Sequence, residues 1–338
     1  MNRPPRLPGI LFALAAGLMW GLVFVGPLLL PEYPASLQTF GRYLAFGLIA
    51  LPLAWFDRSK LKLLTRADWA EALKLALVGN VVYYLFLASA IQRAGGPLPT
   101  VIIGTLPVVI AITSKLRRAA PGARAEMPVP WRRLLPSLLL IGLGIGLVNH
   151  AELARLQGGA QADLARNAQA ELSRYALGGL LAVGAVACWT WYPIRNAEWL
   201  RAHPDRSPRG WATAQGLATL PLALLGYALT WVWSALSGNP FPMPFGPRVL
   251  DFLLLMFVIG LFASWLGTLC WNEASQRLPP TLSGQLIVFE TLAALSYAFV
   301  LRGEGPRPET LAGIALLVAG VIRAMRSQPA AAAPPSHG

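Results

Sequence analysis

Charge is scarce in this chain, and acidic charge is scarcest. Charged residues occupy 13% of the 338 positions, with 15 acids against 28 bases, where a soluble domain carries about 25% charged residues. Histidine is nearly missing: His150, His203 and His337 all lie near loops or the tail and form no cluster. The two cysteines, Cys188 and Cys270, sit inside apolar runs without a CxxC or Cys/His neighbourhood. They read as small buried hydrophobes and imply neither a disulfide framework nor a metal site. No GxSxG, HExxH or Walker sequence occurs, so no catalytic residue, cofactor or metal is expected. An ATP-driven pump would need a separate subunit to supply its ATPase.

What is abundant is apolar: hydrophobic residues make up 55% of the chain. They fall in runs of about 20, the length of helix that crosses a hydrocarbon core about 30 Å thick. Ten spans are expected, at 8–30, 35–56, 71–92, 97–115, 134–150, 176–196, 210–234, 250–273, 279–301 and 308–325, of which the fifth and tenth are the shortest. Each must be helical, because only a helix satisfies its own backbone in lipid. The first run follows Arg3 and Arg6 like a signal peptide, but it continues to Leu30 and further runs follow, so it is expected to stay as an uncleaved span. The net charge of +13 has no single domain to occupy, which argues against nucleic acid as a partner. It is spread over the loops, with 20 Lys and Arg on the side that carries both termini, seven on the other, and Arg42 inside a span. That asymmetry expects both termini in the cytoplasm, and an even number of spans requires the two to share a side.

The chain also resembles itself. Gly47–Ala54 (GLIALPLA) and Gly216–Ala223 (GLATLPLA) agree at six of eight positions, and the same offset of 169 places Ala16 on Ala185 and Trp20 on Trp189. At an offset of 184, Ala90-x-Gln92-Arg93 falls on Ala274-x-Gln276-Arg277 and Asn80 on Ser264. The matches run in the same order and link span 2 with 7 and span 3 with 8. A half with five spans crosses the membrane an odd number of times, so the second half is inverted. Two inverted five-helix halves are expected, 8–150 and 176–325. Between them 151–175 forms an extracytoplasmic linker, able to make a surface helix broken at Gly158–Gly159. The tail, 326–338, ends in QPAAAAPPSHG and cannot build a core.

Few residues could carry chemistry. Glu290 lies about eleven residues into its span, where a charge costs about 2.5–3.5 kcal/mol, so it must face the interior or be neutral. It suits proton coupling or a substrate amine; the plainer role is a hydrogen bond between helices. Arg42, about 10 Å from the edge of span 2, could meet Glu290 or a substrate carboxylate, or snorkel outward. Trp20, Tyr84, Trp189 and Trp265 lie at similar depth, with Asn80 and Ser264 beside them. An aromatic cavity with a few polar groups suits an amphipathic organic solute, and could hold an ammonium group by cation–π contact. Trp20, Asn80, Tyr84, Trp189, Trp265 and Glu290 are therefore the candidate substrate-binding residues, with Glu290 and Arg42 the candidate coupling or charge pair. Trp55, Trp69, Trp131 and Trp211 fall at helix ends and are expected in the interfacial belt.

The ten spans, the repeat, GLMWG at Gly17–Gly21 and GTLPVVIAI at Gly104–Ile112 resemble the drug/metabolite transporter superfamily, in its EamA-like branch, over about residues 8–325. The resemblance implies an inner-membrane secondary transporter, not an enzyme, that exports a small metabolite such as an amino acid, with lipid as its surroundings. That family commonly has Glu-Pro in the ninth span, where this chain has Glu290-Thr291, so the fourth span keeps a proline kink that the ninth loses. Two other functions fit a polytopic protein: a non-transporting sensor or assembly factor, and an intramembrane enzyme acting on lipid. The enzyme would need paired acids at one depth, and only Glu290 stands out.

Overall fold

The computed structural model describes residues 6–94, 99, 102–116, 130–160, 168–238, 240–303 and 305–327. Among them the regular structure is helical throughout. In chain order the helices are α1 (Leu7–Leu29), α2 (Ala35–Phe56), α3 (Arg66–Ala94), α4 (Leu106–Leu116), α5 (Trp131–Ala160), α6 (Ala168–Ala202), α7 (Pro208–Leu236), α8 (Val249–Arg277), α9 (Leu282–Leu301) and α10 (Pro308–Ser327). Among the described residues, eight helices are long and apolar enough to cross a membrane. They lie in α1, α2, α3 and α5 to α9. Parts of the expected fourth span, of the basic loop before α5, of the 151–175 linker and of the tail lie outside the described residues.

Several helices outrun the apolar runs that announce them, because a helix ends at a capping or helix-breaking residue and not where hydrocarbon ends. The chain enters α3 through a capping box, in which the Thr65 side chain accepts from the Asp68 backbone and Asp68 returns the bond to the Thr65 backbone. Ser207 caps α7 and Pro208 occupies its first turn, where a missing N–H costs nothing. Gly158–Gly159 do not break the helix, since α5 continues to Ala160. Three helices change pitch midway: α1 tightens to a 3₁₀ turn at Leu22–Phe24, and two others widen. Ala76–Val82 in α3 and Ile259–Leu266 in α8 are π-helical, and the 184-residue offset of the repeat lays one on the other. Helix α9 is interrupted at Ile287, between the helical segments Pro280–Leu286 and Val288–Arg302. Here the Ile287 carbonyl accepts the Glu290 amide at 2.9 Å, a tight 3₁₀-type turn that interrupts the helix without a proline.

Packing pairs α1 with α8 and α9, α2 with α7 and α8, α3 with α6 and α7, α4 with α6 and α9, and α5 with α10. Helices in lipid gain no hydrophobic drive from meeting each other, so close contact depends on small residues. At the α5–α10 crossing, a Cβ on Gly144 would lie 2.7 Å from the Gly313 carbonyl, and one on Gly313 would lie 2.8 Å from the Gly144 carbonyl. Gly142, one turn face away, has nothing within 4 Å of such a Cβ. Gly144→Val is expected to destabilise the protein by about 1–3 kcal/mol through overpacking, while Gly142→Val leaves it unchanged. Thermal unfolding of the two purified variants checks this; equal midpoints would mean that the crossing does not depend on its glycines.

Candidate functional site

Where α1 meets α9, both glycines of GLMWG press against the partner helix. A Cβ on Gly17 would lie 3.0 Å from the Glu290 amide nitrogen, and one on Gly21 2.7 Å from the Ala293 Cβ. This approach holds the backbone of Glu290 against α1, in the first turn after the Ile287 break. The Glu290 side chain is 3% exposed and accepts a hydrogen bond from the Trp189 indole N–H at 3.3 Å.

Trp189 is itself held on three sides. Its ring stacks on Tyr83 at 4.5 Å and on Tyr192 at 5.2 Å, and meets Trp20 edge-on at 4.9 Å. Trp20 lies against Trp271 at 5.2 Å. The Tyr192 hydroxyl donates to Gln215 at 2.9 Å. Trp20 and Trp189, matched by the repeat, thus touch each other at the one acid expected near mid-membrane.

Arg42 does not snorkel; it is 4% exposed. Its Nε donates to Ser264 Oγ at 3.0 Å, and its guanidinium lies 4.6 Å above the Tyr84 ring and 4.8 Å above the Tyr43 ring. Tyr84 in turn donates to the Val23 carbonyl at 3.2 Å. Asn80 donates to Thr219 at 3.3 Å and Trp265 to Thr213 at 3.4 Å. All six candidate binding residues and Arg42 are interior, and their rings belong to one packed cluster. Direct contact joins Trp20, Trp189 and Glu290; Arg42 joins Tyr84 and Ser264, while Asn80 and Trp265 bond instead to α7.

Tyr83, Tyr192 and Tyr43 were not expected in the site. Neighbouring helix residues point about 100° apart, so a Tyr83–Tyr84 pair would ordinarily send one ring outward. Both are buried just after the π-helical turn, which rotates the face that α3 presents. The adjacent tyrosines were the only sequence signal.

A second polar cluster ties the basic end of the bundle, where α1 begins beside Arg277. Asp57, Asp68 and Glu71 are all buried. Arg195 bonds Glu71 at 2.5 Å, Trp199 donates to Asp68 at 3.0 Å, and Asp57 accepts from Arg209 and Thr213. Trp211, expected in the interfacial belt, is 1% exposed, stacks on Trp199 at 3.5 Å and donates to Asn196. Its polar tip found a partner inside, which overrides its place at a helix end; Trp55 and Trp131 do face outward. A cavity of about 220 Å³ opens here, between Lys60, Leu64, Trp199, Arg206 and Trp211. Cys270 is buried, Cys188 half-buried, and both are free thiols.

Trp189→Phe keeps most of the stack but leaves the buried Glu290 carboxyl without its indole donor. A loss of about 1–3 kcal/mol is expected, and a larger one for Trp189→Leu, which also removes the ring contacts. Denaturant or thermal unfolding measures both; wild-type stability in Trp189→Phe would show that the bond contributes nothing.

Comparison with known proteins agrees with this architecture. The profile of the EamA-like transporter family matches residues 7–121. Inner membrane protein YtfF of Escherichia coli strain K12 is 52% identical over 323 residues, covering 96% of either chain. A protein known from its crystal structure superposes with a TM-score of 0.68 over 95% of this chain and 98% of its own, at 19% identity. At that identity the likeness carries the fold alone.

Proposed function

This chain belongs to the EamA-like transporter family, and on that premise we propose that it is a secondary transporter exporting a small organic metabolite, an amino acid or a related amphipathic solute, across the cytoplasmic membrane. The observation that carries the reading is Glu290, a buried carboxyl bonded to Trp189 where the repeat-equivalent Trp20 and Trp189 meet. An acid this deep in lipid is expensive, and its place among aromatic walls favours a working role. Trp20, Asn80, Tyr84, Trp189, Trp265 and Glu290 are the residues on which the solute is held, and Glu290 couples its movement to protons.

Alternating access needs two halves that exchange roles about an axis. The packing supports such halves. Exchanging α1 with α6, α2 with α7, α3 with α8, α4 with α9 and α5 with α10 returns α2–α7, α4–α9 and α5–α10 to themselves and converts every other pairing named above into another of them. The two π-helical turns exchange as well. Helices α4 and α10 would supply the fourth and tenth spans of the two inverted halves. The basic end, rich in Lys and Arg, is then cytoplasmic and carries both termini.

Glu290→Gln keeps the shape and hydrogen bonding of the side chain but cannot titrate. Near-normal expression with loss of pH-dependent flux is expected in reconstituted vesicles. A merely structural Glu290 gives the reverse: wild-type flux against pH after Gln and damage only after Glu290→Leu. No flux of any solute from a well-folded protein would favour a sensor or assembly factor.

Orientation has its own test. A reporter active only in the cytoplasm should be active when fused after Gly338 and after Arg206, and inactive in the 237–249 loop. A periplasm-active reporter at the C-terminus would overturn the arrangement.

A further inference from the structure

Three polar atoms in the aromatic cluster are sealed from solvent with nothing to bond, Trp271 Nε1 and two others that lie beside Trp189 and Tyr84. Arg42 Nη1 and the Tyr83 hydroxyl have no hydrogen-bond partner, although both residues are more than nine-tenths buried. The rest of the guanidinium is only partly used: Nε reaches Ser264 at 3.0 Å, and Nη2 is 3.5 Å from the Ala263 carbonyl, at the limit of a hydrogen bond. Tyr43 and Tyr84 offer ring faces to the cation but no negative charge. Glu290 lies within electrostatic range of Arg42, but no carboxylate hydrogen-bonds the guanidinium, so its burial in a low-dielectric interior is only partly compensated. Tyr83 stacks on Trp189 at 4.5 Å, and Tyr84, its neighbour in α3, carries the Arg42 guanidinium over its ring.

We propose that Arg42 Nη1 and the Tyr83 hydroxyl form the anion subsite of the transported solute, and that the anion is an organic carboxylate. This rests on the transporter reading above and names the substrate's charged group. One guanidinium nitrogen and one phenol present donors to two oxygens, the number a carboxylate has. A phosphate dianion would bring further oxygens and charge that this aromatic wall cannot bond. The carboxylate docks against Arg42, its body lies along Trp189 and Tyr83, and Glu290 stands at the far side of Tyr83, free to take a proton or an ammonium group.

The test uses purified full-length protein and a matched series: leucine, leucinamide and 4-methylpentanoate, with phenylalanine, phenylalaninamide and 3-phenylpropanoate as a second body. Each is titrated to about 50 mM while the thermal midpoint is followed, since a Kd of roughly 1 mM then gives a clear rise by mass action. Carboxylates should bind at least about tenfold more tightly than the matching amides, the fold-change of a hydrogen bond to a charged group. Arg42→Lys and Tyr83→Phe should each erase most of that preference. Tyr83→Phe removes only the unbonded hydroxyl and keeps the stack, so it guards against misfolding of the arginine variant. Equal response to acid and amide, no response to any carboxylate, or an unchanged preference in Tyr83→Phe overturns the proposal. Carboxylate binding without flux in vesicles would keep the subsite and refute the transporter. Flux indifferent to the carboxylate and to both substitutions would do the opposite.

Discussion

Everything in this molecule follows from a solvent that cannot hydrogen-bond. In hydrocarbon each backbone amide must find its partner within the protein, and helices do this without help from their neighbours. Where the α-helical ladder is altered, in the π-helical turns of α3 and α8 and at Ile287 in α9, the alteration lies in the interior, next to the polar side chains. The altered backbone and the functional candidates therefore coincide: Asn80 and Ser264 sit within the π-helical turns, Tyr83 and Tyr84 follow one of them, and Glu290 follows the break.

The same solvent explains how the interior is shared out. Lipid gives apolar helices no reason to associate, so the contacts come from small residues and from polar groups that must be bonded. Glycines at 17, 21, 144 and 313 bring backbones together. At the basic end, the buried acids Asp57, Asp68 and Glu71 cross-link α2, α3, α6 and α7 through arginine, threonine and tryptophan. The other end is tied differently, by Tyr33 and Gln38 bonding to backbone and by an exposed cluster of Arg248, Glu32 and Asp251.

The all-helical class and the eight spans found among the described residues were legible in the chain alone, because lipid imposes a run of about 20 apolar residues. Glu290 was legible for the same reason: a lone acid deep in an apolar run has to be interior. Its bonding partner and its tyrosine surroundings were not. Tyr83 could be placed only once the π-helical turn had rotated α3, and Trp211 faces inward because Asn196 and Trp199 are there to receive it. Arg42 looked free to snorkel from its position in α2, and tertiary structure turned it onto Ser264 and two tyrosine rings. The sequence by itself thus determined that the chain is helical and membrane-spanning, since both depend on hydropathy along one strand of chain. Which polar atoms meet, and which of them remain unbonded, depends on distances between helices far apart in sequence, and only the packed structure decided that.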